Sequence, residues 1–162
     1  MTKSAPVTNA ALERWKQLRG LPGGSWLFSK ILGWTVPYTG SVSPRILNFE
    51  PGRARVAIRE RRAIRNHLRS VHAVALVNVA ELAGNLAALA SMPADARFIV
   101  LGLSIEYLKK ARGTIVASAD TEPVTSSEKR EYEIPVSLTD EAGDVVARAT
   151  IRTLVGPKEE KA

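Results

Sequence analysis

Apolar and polar positions change period several times along the chain, and each change marks an element. Residues 8–19 place Leu12, Trp15 and Leu18 on one face at helical spacing, and Gly20 follows as a stop. A Pro and two glycines break residues 21–24. Ser25 then stands as an N-cap for a second helix through about Trp34, with Trp26, Leu27, Phe28, Ile31 and Leu32 apolar. The Val36-Pro37 step and Gly40 end it. From Ser41 the period falls to two. Residues 41–49 and 53–60, joined by Glu50-Pro51-Gly52, read as a β-hairpin. In its second strand Ala54, Val56 and Ile58 alternate with Arg53, Arg55 and Arg59, which predicts one apolar and one basic face.

An arginine-rich connection, residues 61–71, leads into the longest apolar stretch, NHLRSVHAVALVNVAELAGNLAALA over residues 66–90. Past the irregular connection it reads as one long helix, with Ala73 in its first turn. Ser91-Met92-Pro93 ends it, and strand-like runs follow at 97–109, 113–120, 128–139 and 145–154. Ala111-Arg112-Gly113 is expected to turn between the first two, and a loop containing Gly143 joins the last two. A polar tail is expected over 157–162. A helix apolar on nearly every side must be wrapped, and a curved antiparallel sheet around it is the economical solution. The prediction is an α+β domain over residues 40–156 with a helical extension over 1–39.

Within the long helix Asn78, Glu81 and Asn85 recur at spacings of three and four, which puts them on one face. A carboxylate inside so apolar a helix is costly to bury unless it is paired or used. It is the chain's first chemical signal.

Composition narrows the possibilities. At 162 residues, 45% hydrophobic and 24% charged, the chain fits one globular domain. No cysteine means no disulfide and no thiolate metal site, and His67 and His72 alone cannot form a histidine cluster, so no metal or cofactor is expected. The N-terminus lacks a signal-type apolar core. The many alanines, two Asn and one Glu of the long helix suit burial in protein rather than in a membrane, so a cytoplasmic protein is expected. The net charge of +7 suits an anionic ligand or nucleic acid. No Phe, Tyr or Trp lies between Pro51 and Arg97, which counts against stacking on nucleic acid.

The element order resembles the hotdog fold, a sheet curled around a central helix. Hotdog acyl-CoA thioesterases of the phenylacetate-pathway type carry an Asn, a His-Gly-Gly six residues later, and an acid nine after the His. Asn66, His72 and Glu81 stand at those spacings. GLSIEYLKKARGTIVASAD and DEAGDVVARATIRT are similar to the family's later strands, and the likeness covers roughly residues 40–155. The chain looks most like a less-characterised branch of that superfamily, of DUF4442 type. It departs from the pattern where His72-Ala73-Val74 replaces His-Gly-Gly. It departs again at Phe98-Ile99-Val100-Leu101, where relatives often place a Ser or Thr.

The resemblance implies thioester hydrolysis, with Glu81 as general base or nucleophile, its carboxyl raised by burial toward neutrality. The Ala73 backbone N–H would polarise the carbonyl at the helix N-terminus. Asn66 would hold water or the carbonyl, or else serve as a turn residue, and His72 would brace the loop. Nine residues of helix put Glu81 about 13 Å along the axis from His72, too far for both to serve one carbonyl in one chain. The site would therefore combine two chains, in keeping with the side-by-side homodimers, or dimers of dimers, that the resemblance implies. Small residues Ala80, Ala83, Gly84, Ala87 and Ala88 would permit close helix packing. Coenzyme A phosphates would meet Arg61, Arg62, Arg65 and Arg69 before the helix, or Lys109, Lys110 and Arg112 at the strand turn. A hotdog domain that binds an acyl ligand or partner without catalysis is the alternative, and a basic nucleic-acid-binding module is the more distant one.

Overall fold

A computed structural model describes residues 9–158. Thr8, the first residue of the expected first helix, and residues 159–162 of the expected tail lie outside them. Helix α1 (Ala10–Arg19) begins where the Asn9 side-chain oxygen accepts from the Ala11 N–H. The Asn9 amide donates to the Leu89 carbonyl, which ties the extension to the far end of the central helix. Helix α2 (Gly24–Thr35) starts two residues earlier than expected, because Gly23 takes the left-handed conformation at its N-cap. Ser25 is therefore not the cap. Its hydroxyl donates instead to the Ile46 carbonyl. The one-turn α3 (Pro37–Gly40) packs directly on α2, since a Cβ at Gly40 would fall 2.2 Å from the Gly33 oxygen.

Six strands form one antiparallel sheet: β1 (Arg45–Glu50), β2 (Arg53–Arg59), β3 (Ala96–Tyr107), β4 (Thr114–Asp120), β5 (Arg130–Thr139) and β6 (Val145–Pro157). Their order is β1-β2-β4-β5-β6-β3. The hairpin is as expected, with Gly52 at positive φ in its turn. The segment 108–113 is not a hairpin turn. It carries the chain across the molecule, because β3 pairs with β6 at one edge while β4 pairs with β2. Neighbouring strands in sequence are separated because β6 has to close the sheet between them. The last strand runs on through Pro157, where the tail was expected to begin.

The long helix α4 (Ala73–Leu89) crosses this sheet and touches all six strands. The inward residues Val56, Ile58, Ile115, Ile134, Leu138 and Ile151 are almost wholly buried. Their apolar area supplies the main drive for wrapping. Ala80, Ala83, Gly84, Ala87 and Ala88 are buried too, against the chain's own sheet. A Cβ at Gly84 would come 2.8 Å from Ile151 Cγ1. The small residues therefore serve close approach of helix to sheet, not of helix to a second helix. The face of α4 that stays accessible carries Val74, Val77, Glu81, Asn85 and Leu89.

The extension has its own task at the opposite edge. The Ser29 hydroxyl accepts from the Ile46 N–H at 2.8 Å and donates to the Ser25 carbonyl at 2.7 Å. With the Ser25 bond, α2 satisfies the backbone of the outermost strand, β1. Phe28 reaches inward between Trp15, at a ring distance of 5.3 Å, and Phe49, at 6.1 Å.

Candidate functional site

Residues 65–71 stay outside the long helix, in keeping with the irregular connection expected over 61–71, and the reason is Asn66. Its side-chain oxygen accepts from the Leu68 N–H at 2.9 Å and from both the N–H and the hydroxyl of Ser70 at 3.2 Å. A side chain that satisfies nearby backbone donors holds the chain out of a helix. Arg69 takes positive φ, and Arg65 bridges back to Val71, so residues 65–71 form a closed loop. The helix begins only after His72, whose Nδ1 accepts from the Val74 N–H at 3.1 Å as an N-cap. Through this bond His72 braces the loop as an acceptor.

Ala73 is then the first helical residue, and its N–H has no partner among the described residues. It lines a cleft of about 320 Å3 together with Asn66, Ser70, Tyr107 and Lys110. The structure thus brings Asn66, Ala73, Lys109 and Lys110 to one place, beside a helix N-terminus that favours negative charge. Tyr107 also belongs to it and was missed in the sequence. Its hydroxyl donates to the Ala73 carbonyl at 3.3 Å, and burial pushes its phenol above the usual range. Its signal was present as the polar-ended aromatic of the Ile105-Glu106-Tyr107 run, but its partner lies thirty-four residues earlier in the chain.

Two loops carry the cleft, and Glu60 joins them. One carboxylate oxygen accepts from the Gly113 N–H at 2.8 Å and the other from Arg65 Nε at 2.6 Å. The backbone bond to Gly113 is the main cause that holds the Glu60 carboxyl below its ordinary value, with Arg65 and Arg112 adding to it against the opposing effect of burial.

Glu81 lies elsewhere. It stands on the accessible stripe of α4, half-buried, and makes no hydrogen bond or ion pair among the described residues. The fully buried acid expected from the apolar surroundings is not present in a single chain, because α4 leaves this one stripe outside the sheet. Asn78 shares the face, but α3 covers it, and its amide donates to the Tyr38 carbonyl at 3.1 Å. The buried side-chain oxygens of Asn78 and Asn85 have no partner among the described residues.

The seven basic residues divide into two groups. Arg61 bonds the Ser41 carbonyl and the Ser43 hydroxyl, Arg65 pairs with Glu60, and Lys109 is held between Asp140 and Asp144. The Asp144 bond is the chief cause that raises the Lys109 ammonium above its ordinary value. Arg62, Arg69, Lys110 and Arg112 are exposed, and their side chains make no hydrogen bond or ion pair among the described residues. His67 is exposed in the loop. Among the described residues no group of three potential ligands could hold a metal ion, and no helix is long and apolar enough to cross a membrane.

The family pattern DUF4442, a domain of unknown function, matches residues 24–155. The chain belongs to this family. No curated protein matches it. A structural-genomics crystal structure, APC5556, is 32% identical with a TM-score of 0.78, over 92% of this chain and 99% of that one. A Pseudomonas aeruginosa protein of unknown function, described as a probable thioesterase, is 26% identical with a TM-score of 0.74, over 85% of this chain and 97% of its own. A mutant of the phenylacetic acid degradation protein PaaI from Thermus thermophilus is 22% identical with a TM-score of 0.63, over 73% and 97%. The last likeness concerns the fold alone. The DUF4442 chain is a hotdog protein, as the order of its elements implied, and its matched region includes α2 and α3 as well as the hotdog core.

Proposed function

We propose that the protein is a cytoplasmic, homodimeric acyl-CoA thioesterase whose two sites each combine residues of two chains. The observation that carries this reading is the partnerless Ala73 N–H at the head of α4, opening into a cleft with Asn66 and Lys110. A donor fixed at a helix N-terminus suits the oxyanion of a tetrahedral thioester intermediate. In the reading, Glu81 of the facing chain takes a proton from water as the water attacks the carbonyl carbon, or attacks the carbon itself to give a mixed anhydride that water then hydrolyses. The oxyanion collapses, the carbon–sulfur bond breaks, and coenzyme A leaves as the thiolate. Asn66 offers its amide N–H groups, because its oxygen is committed to the loop. Lys110, Arg62, Arg69 and Arg112 are the cations left to take the nucleotide phosphates, whereas Arg61, Arg65 and Lys109 support the fold.

A panel of acyl-CoAs read by free thiol release tests the reading. Glu81→Ala is expected to lower kcat/KM by about 100-fold or more with the fold intact, the scale of a lost general base. Unchanged activity in that variant overturns the role of Glu81. No turnover of any thioester, with saturable acyl-CoA binding retained, favours the non-catalytic alternative.

A further inference from the structure

A second hollow, of about 670 Å3, lies between α2 and the sheet face turned away from α4. Its size is that of a small-molecule site. The floor is a cross-strand row in register: Arg45 on β1 faces Ala57 on β2, which faces Val116 on β4. Arg59 and Thr114 pair two positions further along the same face. Ala57 is the smallest residue of the row and makes the floor concave.

Two indoles form the wall. Trp34 is 86% exposed and Trp26 is 57% exposed, although each is large enough to gain substantially from burial. The backbone contact of Gly33 with Gly40 holds this wall against α3. Charge in the hollow has one sign. Lys30, Arg45 and Arg59 line it, and no Asp or Glu does. Arg45 makes no hydrogen bond or ion pair among the described residues, Lys30 lies over the Trp26 ring at 5.8 Å, and Arg59 has Glu141 as an electrostatic neighbour. Polar groups of the kind that reads a nucleotide base are already committed, since Ser29 is bonded to Ile46 and Ser25, and Thr114 to Glu141.

We propose that this hollow is a ligand site separate from the Ala73 cleft, and that it takes an amphipathic carboxylate. The apolar chain or ring lies over Leu47, Ala57 and Val116 against the indoles, and the carboxylate meets Arg45 and Arg59. An apolar body fits the floor, and an anionic head fits the cations that line it, Arg45 foremost. The site does not depend on thioester hydrolysis, so the inference stands or falls apart from the function proposed above.

The test is calorimetric titration of the full chain with decanoate, decanol and ADP below micellar concentrations, with tryptophan fluorescence as a second readout. Decanoate is expected to bind saturably and to shift the fluorescence, with decanol about tenfold weaker or more. Arg45→Ala combined with Arg59→Ala is expected to lower decanoate affinity by about tenfold or more, at least the loss of one charge-assisted bond. Ala57→Phe, which fills the floor, is expected to abolish binding, whereas Lys110→Ala in the other cleft leaves it unchanged. Circular dichroism and thermal unfolding establish that each variant is folded. Equal binding of decanol and decanoate, tighter binding of ADP, loss of binding in Lys110→Ala, or no effect of the arginine pair overturns the inference. So does a Trp34 already shielded from acrylamide in the unliganded protein, which would make this face an interface between copies.

Discussion

Glu60 joins the two loops of the candidate site without touching its cleft, through Gly113 on one side and Arg65 on the other. Its carboxyl is held below the ordinary 4.5, so the charged form is favoured more in the folded than in the unfolded chain. Such a group stabilises the fold fully above the unfolded value and loses that contribution as pH falls through the lowered one. Urea unfolding across the acid range is expected to show this loss in the natural protein and a flatter profile in Glu60→Gln. A profile of the same slope in both would remove Glu60 from the account. At this scale the residue types and spacings of Asn66, His72 and Glu81 were legible in the sequence. Their partners were not, because a hydrogen bond from Asn66 to Ser70 or from Tyr107 to Ala73 depends on the path of the loop. The polar run of arginines likewise looked uniform until the fold paired Arg61, Arg65 and Lys109 internally.

Among the elements, α2 has the least obvious task. It seals the β1 edge through Ser29, which bonds the Ile46 N–H while donating to the Ser25 carbonyl. An unpaired strand edge invites pairing with another chain, and natural proteins cover it. Ser29→Ala removes the acceptor and leaves the buried Ile46 N–H unpaired, at a cost of about 1–3 kcal/mol. Thermal unfolding should register this as a lower Tm, while Ser29→Thr, which keeps the hydroxyl, should largely restore it. The helix itself was predictable from its apolar spacing. Its cap was not, since Ser25 is a good N-cap type and only the left-handed turn at Gly23 moves the helix start ahead of it. The head of the long helix was legible, since an irregular connection was expected through Val71, and local bonds of Asn66 hold that connection out of the helix.

With β1 sealed, β3 is left as the other edge of the molecule's sheet, paired with β6 on one side only. It is twelve residues long and leaves Ile99 at 62% and Leu101 at 47% exposure. The accessible stripe of α4 holds Glu81 and an unpartnered Asn85 oxygen. A two-fold pairing of chains along β3 would bury these apolar residues and is the assembly that the proposed site requires. Ile99→Lys is expected to shift the protein from dimer to monomer in sedimentation and to abolish thiol release together with it. A monomer that keeps full activity would sink the two-chain site.

The sequence by itself determined the α+β class, the hotdog order of elements, the hairpin at Gly52 and the positions of Asn66, His72 and Glu81, because periodicity and spacing are properties of neighbours along the chain. Tertiary structure alone decided that β3 leaves β4 to pair with β6, that the small residues of α4 face their own sheet, and that Glu81 stays on an accessible stripe. Each of these depends on which distant surfaces are buried together. Burial is a property of the whole molecule, and no local pattern encodes it.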